Sequence, residues 1–193
     1  MKSLIALVLF IVVGLVGTLM YRLGSFKPVV ITEAIHGPTK VIYKLHVGAY
    51  HQIVPTIEEV EKWAKAHGEP CTMSFGEYYN NPDKVAEDRL RSNGGCVVEK
   101  SWDTGLPDGF AYREIPVHVY VVATFDGAPS IGPIKVYPKV GEFKESHGYD
   151  QPGPTYEFYE IRPGNQVRTT YMFPVIKRGD RDANPVYAKD YAP

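Results

Sequence analysis

A chain of 193 residues with 44% hydrophobic and 22% charged side chains has the composition of a globular protein, about one domain in size, and not of a disordered one. Its formal net charge of −1 argues against nucleic-acid binding, which needs a basic face. Two cysteines, Cys71 and Cys96, exclude a disulfide framework and a four-thiolate zinc site; both are expected as small core residues.

The chain begins with an apolar run. Residues 4–20, "LIALVLFIVVGLVGTLM", carry no charge; Lys2 precedes them, and Tyr21 and Arg22 close them. At about 1.5 Å per residue, the run lies at the short end of what crosses a bilayer. A cleaved signal peptide is the rival, but the flank "TLMYRLGSF" offers no Ala-x-Ala-like site, so residues 1–23 read as an uncleaved membrane anchor. Charges at the two ends barely distinguish an orientation. No Asn-x-Ser/Thr acceptor occurs, which is compatible with a soluble part on the cytosolic face. Residues 24–38, with Pro28, Gly37 and Pro38 as breakers, read as a linker. Residues 39–180 then read as the ligand-binding domain, and 181–193 as a short polar tail.

Within that domain the pattern of elements repeats. "TKVIYKLHVGAY" alternates as a strand, and "PTIEEVEKWAKAHG" places Ile57, Val60, Trp63 and Ala64 on one helical face before Gly68 ends it. "TMSFGEYYNNP" and "GGCVVEKSW" are two further strands. The second half restarts with the strand "PVHVYVVATFDG", followed by a short piece through residues 131–136. "YPKVGEFKESHG" reads as a short helix with Val140 and Phe143 inward, ended by Gly148. "PTYEFYEIRPGN" and "QVRTTYMFPVI" form two strands about a turn. The expected fold is α+β: tandem strand–helix–strand–strand units with pseudo-twofold symmetry and a central groove, preceded by one transmembrane helix. "GEYYNNP" and "YEFYEIRP" give Glu77 and Glu157 matching places, from which they would approach the groove from opposite sides. Strand alternation puts Glu157, Tyr159 and Ile161 on one side, and Tyr156, Phe158 and Glu160 on the other.

The ordered set "YKLHVGAY", "YYNNP", "HVYVVATF", "KVYPKVGEFKE", "YEFYE" and "FPVIKRGD" resembles the GyrI-like small-molecule-binding domains, the effector-binding type of AraC and MerR regulators. With its apolar start, the chain is more similar to the membrane-anchored branch of that family, which holds a testis-expressed ER-phagy receptor. The resemblance implies a concave ligand groove, in which a glutamate of the penultimate strand meets cationic aromatic ligands among stacked rings. The matching residue is Glu157, and the candidate ligand-binding set is Glu157, Tyr159, Tyr156, Glu77, Tyr79 and Tyr120. The bland alternative is a solvated Glu157, or one paired with Arg168. "FYEI" falls inside a strand, so autophagy function is not carried over.

Some relatives hydrolyse small electrophiles with a pocket glutamate, which implies Glu157 as general base with Tyr159 or Tyr120 beside it. The residues themselves offer no Gly-x-Ser-x-Gly nucleophile, and His46 with His51 lacks the spacing of a helical metal site. No catalytic residue, cofactor or metal is therefore expected. The first expectation is a membrane-anchored domain that binds a small apolar or cationic ligand. A membrane-tethered protein-interaction adaptor is the alternative, and a small-molecule hydrolase using the groove glutamate the second.

Overall fold

In the computed structural model of the protein, residues 2–164 and 166–180 are described, so the tail expected at 181–193 lies outside them. Helix α1 (Lys2–Arg22) carries the apolar run, and none of it is buried against the rest of the chain. Among the described residues it is the one helix long and apolar enough to cross a bilayer. It ends in a Schellman turn: the Gly24 amide donates to the Tyr21 carbonyl (3.1 Å) and the Ser25 amide to Met20 (3.0 Å). The turn needs Gly24 at φ +79°, where a side chain would be strained.

The span expected as a linker carries β1 (Val29–His36), an edge strand of the main sheet. Pro28 precedes the strand and Pro38 follows it, so neither removes a ladder hydrogen bond from its interior. The chain continues with β2 (Thr39–Val47), α2 (Val54–Ala66), β3 (Ser74–Tyr78), β4 (Arg91–Val97) and β5 (Phe110–Ile115). The second half holds β6 (His118–Asp126), α3 (Gly132–Ser146), the short β7 (Tyr149–Asp150), β8 (Thr155–Arg162), β9 (Gln166–Pro174) and the short β10 (Ile176–Lys177).

Eight strands form one antiparallel sheet in the order β1-β6-β9-β8-β3-β4-β2-β5, while β7 and β10 pair separately. Each half has the expected order of strand, helix, strand, strand. The strand before each half lies elsewhere: β1 pairs with β6 of the second half, and β5 pairs with β2 of the first.

Helices α2 and α3 pack on one face of the sheet. Under α2, Ile57, Val60 and Ala64 are buried as their spacing requires, with Trp63 half-buried beside them. Helix α3 begins at Gly132, earlier than its sequence suggests, and absorbs the piece through 131–136. Pro133 occupies its first turn, where the missing amide costs nothing, and Val136 and Val140 are its buried stripe. The opposite face is filled by Phe75, Tyr120, Val122, Tyr156, Phe158 and Met172. Cys96 is buried in the α2 cluster as expected of a small apolar residue, but it is joined to Cys71 in a disulfide with Cα atoms 5.5 Å apart.

Strand registers locate the pseudo-twofold axis. Val41 pairs with Val97 in one half as Tyr120 pairs with Pro174 in the other, and Val41 and Tyr120 share one core cluster. Following β4 and β9 inward, Gly95 pairs with Phe75 and Met172 with Tyr156. Phe75 thus corresponds to Tyr156, and Gly76 to Glu157. Gly76 and Glu157 also face each other across the β3–β8 ladder, so the axis passes between them. Glu77 corresponds to Phe158 instead of Glu157. That one-residue difference turns its side chain to the other face of the sheet.

Candidate functional site

On β8, alternation sends Tyr156 and Phe158 into the core away from the helices, and Glu157 and Tyr159 toward them. Glu157 stands at the middle of the sheet, between the clusters beneath α2 and α3. Its ladder neighbours are Gly76 on β3 and Tyr171 on β9. Gly76 leaves room for the Tyr78 ring to fold back over the strand, because a Cβ there would lie 2.8 Å from the Tyr78 hydroxyl.

Only 4% of Glu157 is exposed, and both carboxylate oxygens are occupied. The Tyr137 hydroxyl, from α3, donates to Oε1 at 2.8 Å, and the Tyr159 hydroxyl donates to Oε2 at 2.8 Å. Tyr78 and Tyr159 hydroxyls are 2.8 Å apart; with the Tyr159 proton given to Glu157, Tyr78 is the donor between them. Tyr78 and Tyr159 are symmetry counterparts meeting at the axis. Tyr50 packs its edge on Tyr78 at 4.9 Å, and Tyr137 stands edge-on to Tyr171 at 6.1 Å. Tyr137 as a residue is 37% exposed while its hydroxyl points inward, so this side chain stands between the carboxylate and solvent.

Burial pushes the Glu157 carboxyl up to about 7, and the bonds from Tyr159 and Tyr137 pull it back only in part. Burial and the neighbouring Glu157 charge raise Tyr78, Tyr137, Tyr159 and Tyr171 above the ordinary phenol range, so all four stay neutral. No Lys, Arg or His among the described residues forms an ion pair with Glu157. Arg168 pairs instead with Asp126, through two guanidinium bonds.

The other candidates lie elsewhere. Glu77, also fully buried, is ion-paired with Arg113 and accepts hydrogen bonds from Asn93 Nδ2 and the Tyr79 hydroxyl, each at 2.8 Å. Tyr156 and Tyr120 pack edge-to-face at 6.1 Å in the core on that same side. Of the six sequence candidates, the structure brings Glu157 and Tyr159 together, and separates them from Tyr156, Glu77, Tyr79 and Tyr120 by the sheet itself. Tyr137, Tyr78 and Tyr171 are site neighbours that sequence reasoning missed. The paired tyrosines of "EYYNNP" were the available signal for Tyr78.

A family profile described as GyrI-like small molecule binding domain matches residues 36–176. No curated protein gives a significant sequence match. Among solved structures, the C-terminal domain of EcmrR superposes with a TM-score of 0.60 at 18% identity, over 78% of this chain and 98% of that one. EcmrR in a complex with DNA superposes with a TM-score of 0.62 at 15% identity, over 91% of this chain and 68% of that one. At these identities the likeness shows a shared fold. SAV2435 bound to tetraphenylphosphonium superposes more loosely, with a TM-score of 0.48 at 12% identity over 76% and 94% of the two chains.

Proposed function

The chain belongs to the family of GyrI-like small molecule binding domains, and we propose that it is a membrane-anchored member that holds a small lipophilic cation against Glu157. The observation that carries this reading is a contrast between two buried carboxylates. Glu77 has its own cation, Arg113, whereas Glu157 is ringed by tyrosines and has none among the described residues. A buried carboxyl without a counter-charge is costly, and a bound cation removes that cost by stabilising the ionised form. Ring faces around the site would add roughly 0.5 to 2 kcal/mol for each cation–π contact. Tyr137, whose ring is already at the surface, is the side chain that must swing aside.

Membrane anchoring is read from α1, and placement in the membrane-anchored branch of the family rests on the same helix. The Cys71–Cys96 disulfide favours an oxidising compartment for the soluble domain over the cytosolic face expected from the sequence. A hydrolase reading ranks lower, because Tyr137 and Tyr159 occupy both oxygens that a general base would turn to water.

The test is equilibrium binding of tetraphenylphosphonium and of neutral triphenylphosphine oxide to the full chain in detergent. Glu157→Gln should weaken the cation about tenfold or more, the effect of losing about 1.4 kcal/mol, and leave the neutral compound nearly unchanged. Equal losses for both compounds, or an unaltered cation affinity, would remove Glu157 from the site.

A further inference from the structure

The junction between α1 and the domain is fixed at several points. The Ala128 amide donates to the Leu23 carbonyl at 3.0 Å, and Gly24 packs so closely on Gly127 that an added Cβ would lie 3.0 Å from the Gly127 Cα. Lys135 Nζ, in the first turn of α3, donates to the Ser25 carbonyl at 2.6 Å and also to that of Lys27. Helix α1 needs nearly its whole length to cross a bilayer, since 21 residues at about 1.5 Å each span about 31 Å. Its last turn, Tyr21 and Arg22, therefore stands at the lipid–water boundary, and the pinned domain starts there with no spacer.

Three large apolar side chains are exposed around this junction. Phe26 (74% exposed) follows the Schellman turn, and Ile134 (73%) adjoins Lys135. Ile161 (76%) lies at the same end of the sheet: it pairs with Val167, next to Arg168, which pairs with the Asp126 that precedes Gly127. Water is a poor surrounding for all three, and an interfacial aromatic at Tyr21 and a cation at Lys27 flank them as they do in membrane-surface contacts.

We propose that the anchor-proximal end of the domain docks on the phospholipid bilayer, with Phe26, Ile134 and Ile161 entering the interface. The inference rests on α1 spanning that bilayer. Ile134 and Tyr137 are one turn apart on the same side of α3, so the exposed side chain over Glu157 lies about one helical turn from the docked surface. A lipophilic cation concentrated in the interface then meets Tyr137 first.

The test uses the full chain in phosphatidylcholine vesicles, with tryptophan placed singly by Phe26→Trp, Ile134→Trp and, as a control, Val54→Trp. Val54 is an exposed residue at the start of α2, in the other half of the sheet. Lipids brominated near the headgroup end of their chains should quench the emission added at positions 26 and 134 about twofold, since interfacial side chains sit within about 5–10 Å of that depth. Emission added at position 54 should be unaffected once the parent signal of Trp63 and Trp102 is subtracted. Retention in the vesicles after carbonate washing without quenching at 26 and 134 would overturn the docked surface alone. Release by carbonate would overturn the anchor as well. Quenching as expected alongside failed tetraphenylphosphonium binding would leave the surface standing and refute cation binding at Glu157.

Discussion

Raising the pH from 5 to 8 should destabilise the parent protein relative to Glu157→Gln. In the folded chain the Glu157 carboxyl is held near 7 against an ordinary value of 4.5, because burial favours its uncharged form. Below 4.5 the group is protonated whether the chain is folded or not, and its contribution to stability is fully present. Between 4.5 and about 7 the unfolded chain ionises while the folded one does not, so that contribution is lost progressively, and above 7 no further change follows. The gap between the two values corresponds to about 3 kcal/mol, of which about 2 to 3 falls between pH 5 and pH 8. Glutamine fills the same space, can accept from one tyrosine and donate to the other, and does not titrate. Urea denaturation of both proteins in one detergent, at pH 5 and pH 8, gives the quantity needed. Differencing parent and variant cancels every other titrating group. The advantage of the variant should grow by about 2 to 3 kcal/mol with pH. A parent–variant difference that is the same at both pH values would refute the burial argument, and with it the case for a carboxyl waiting for a cation.

Two further outcomes are expected. Arg113→Ala leaves Glu77 buried without its counter-charge and should lower stability by about 3 to 5 kcal/mol in the same urea assay, while a Glu77→Leu, Arg113→Leu double variant should regain most of it; a loss below about 1 kcal/mol would show a solvated pair. Cys71 and Cys96 should take up no maleimide in acid-quenched cells until a reductant is added, and two adducts without reductant would return the domain to a reducing compartment.

How much of this was legible depended on burial. Helix α2 could be read because Ile57, Val60 and Ala64 repeat at the helical period over an otherwise polar surface. Strand β1 could not, because an edge strand exposed on much of its length shows no clean alternation. The start of α3 was obscured by Gly132, Pro133, Pro138 and Gly141, residues that weaken local helical signals. Tyr137 opens the helix as read from the sequence, yet it lies off the buried stripe of Val136 and Val140, so no periodicity singles it out. Glu157 and Tyr159 were readable as one strand face, yet matching "GEYY" to "YEFY" mispaired Glu77 with Glu157. Short strings carry composition, but which face a residue occupies is decided by ladder register, and that is set by partners distant in sequence. Pairing of Cys71 with Cys96 is likewise a long-range fact that spacing alone leaves open.

The crossed placement of β1 and β5 bears on how such a chain can be assembled at all. Each half completes its sheet only by borrowing the arm of the other, so neither half severed from its mate has a partner for its own leading strand. A lone half would expose that arm together with the bare β3 or β8 edge that normally meets at the axis. Two copies of a lone half satisfy both needs at once, as a closed twofold dimer with swapped arms. The present chain carries that swapped-arm arrangement on one polypeptide. Two identical subunits would have to present identical residues at the axis, whereas two halves of one chain need not, and there one half offers glycine and the other an acid.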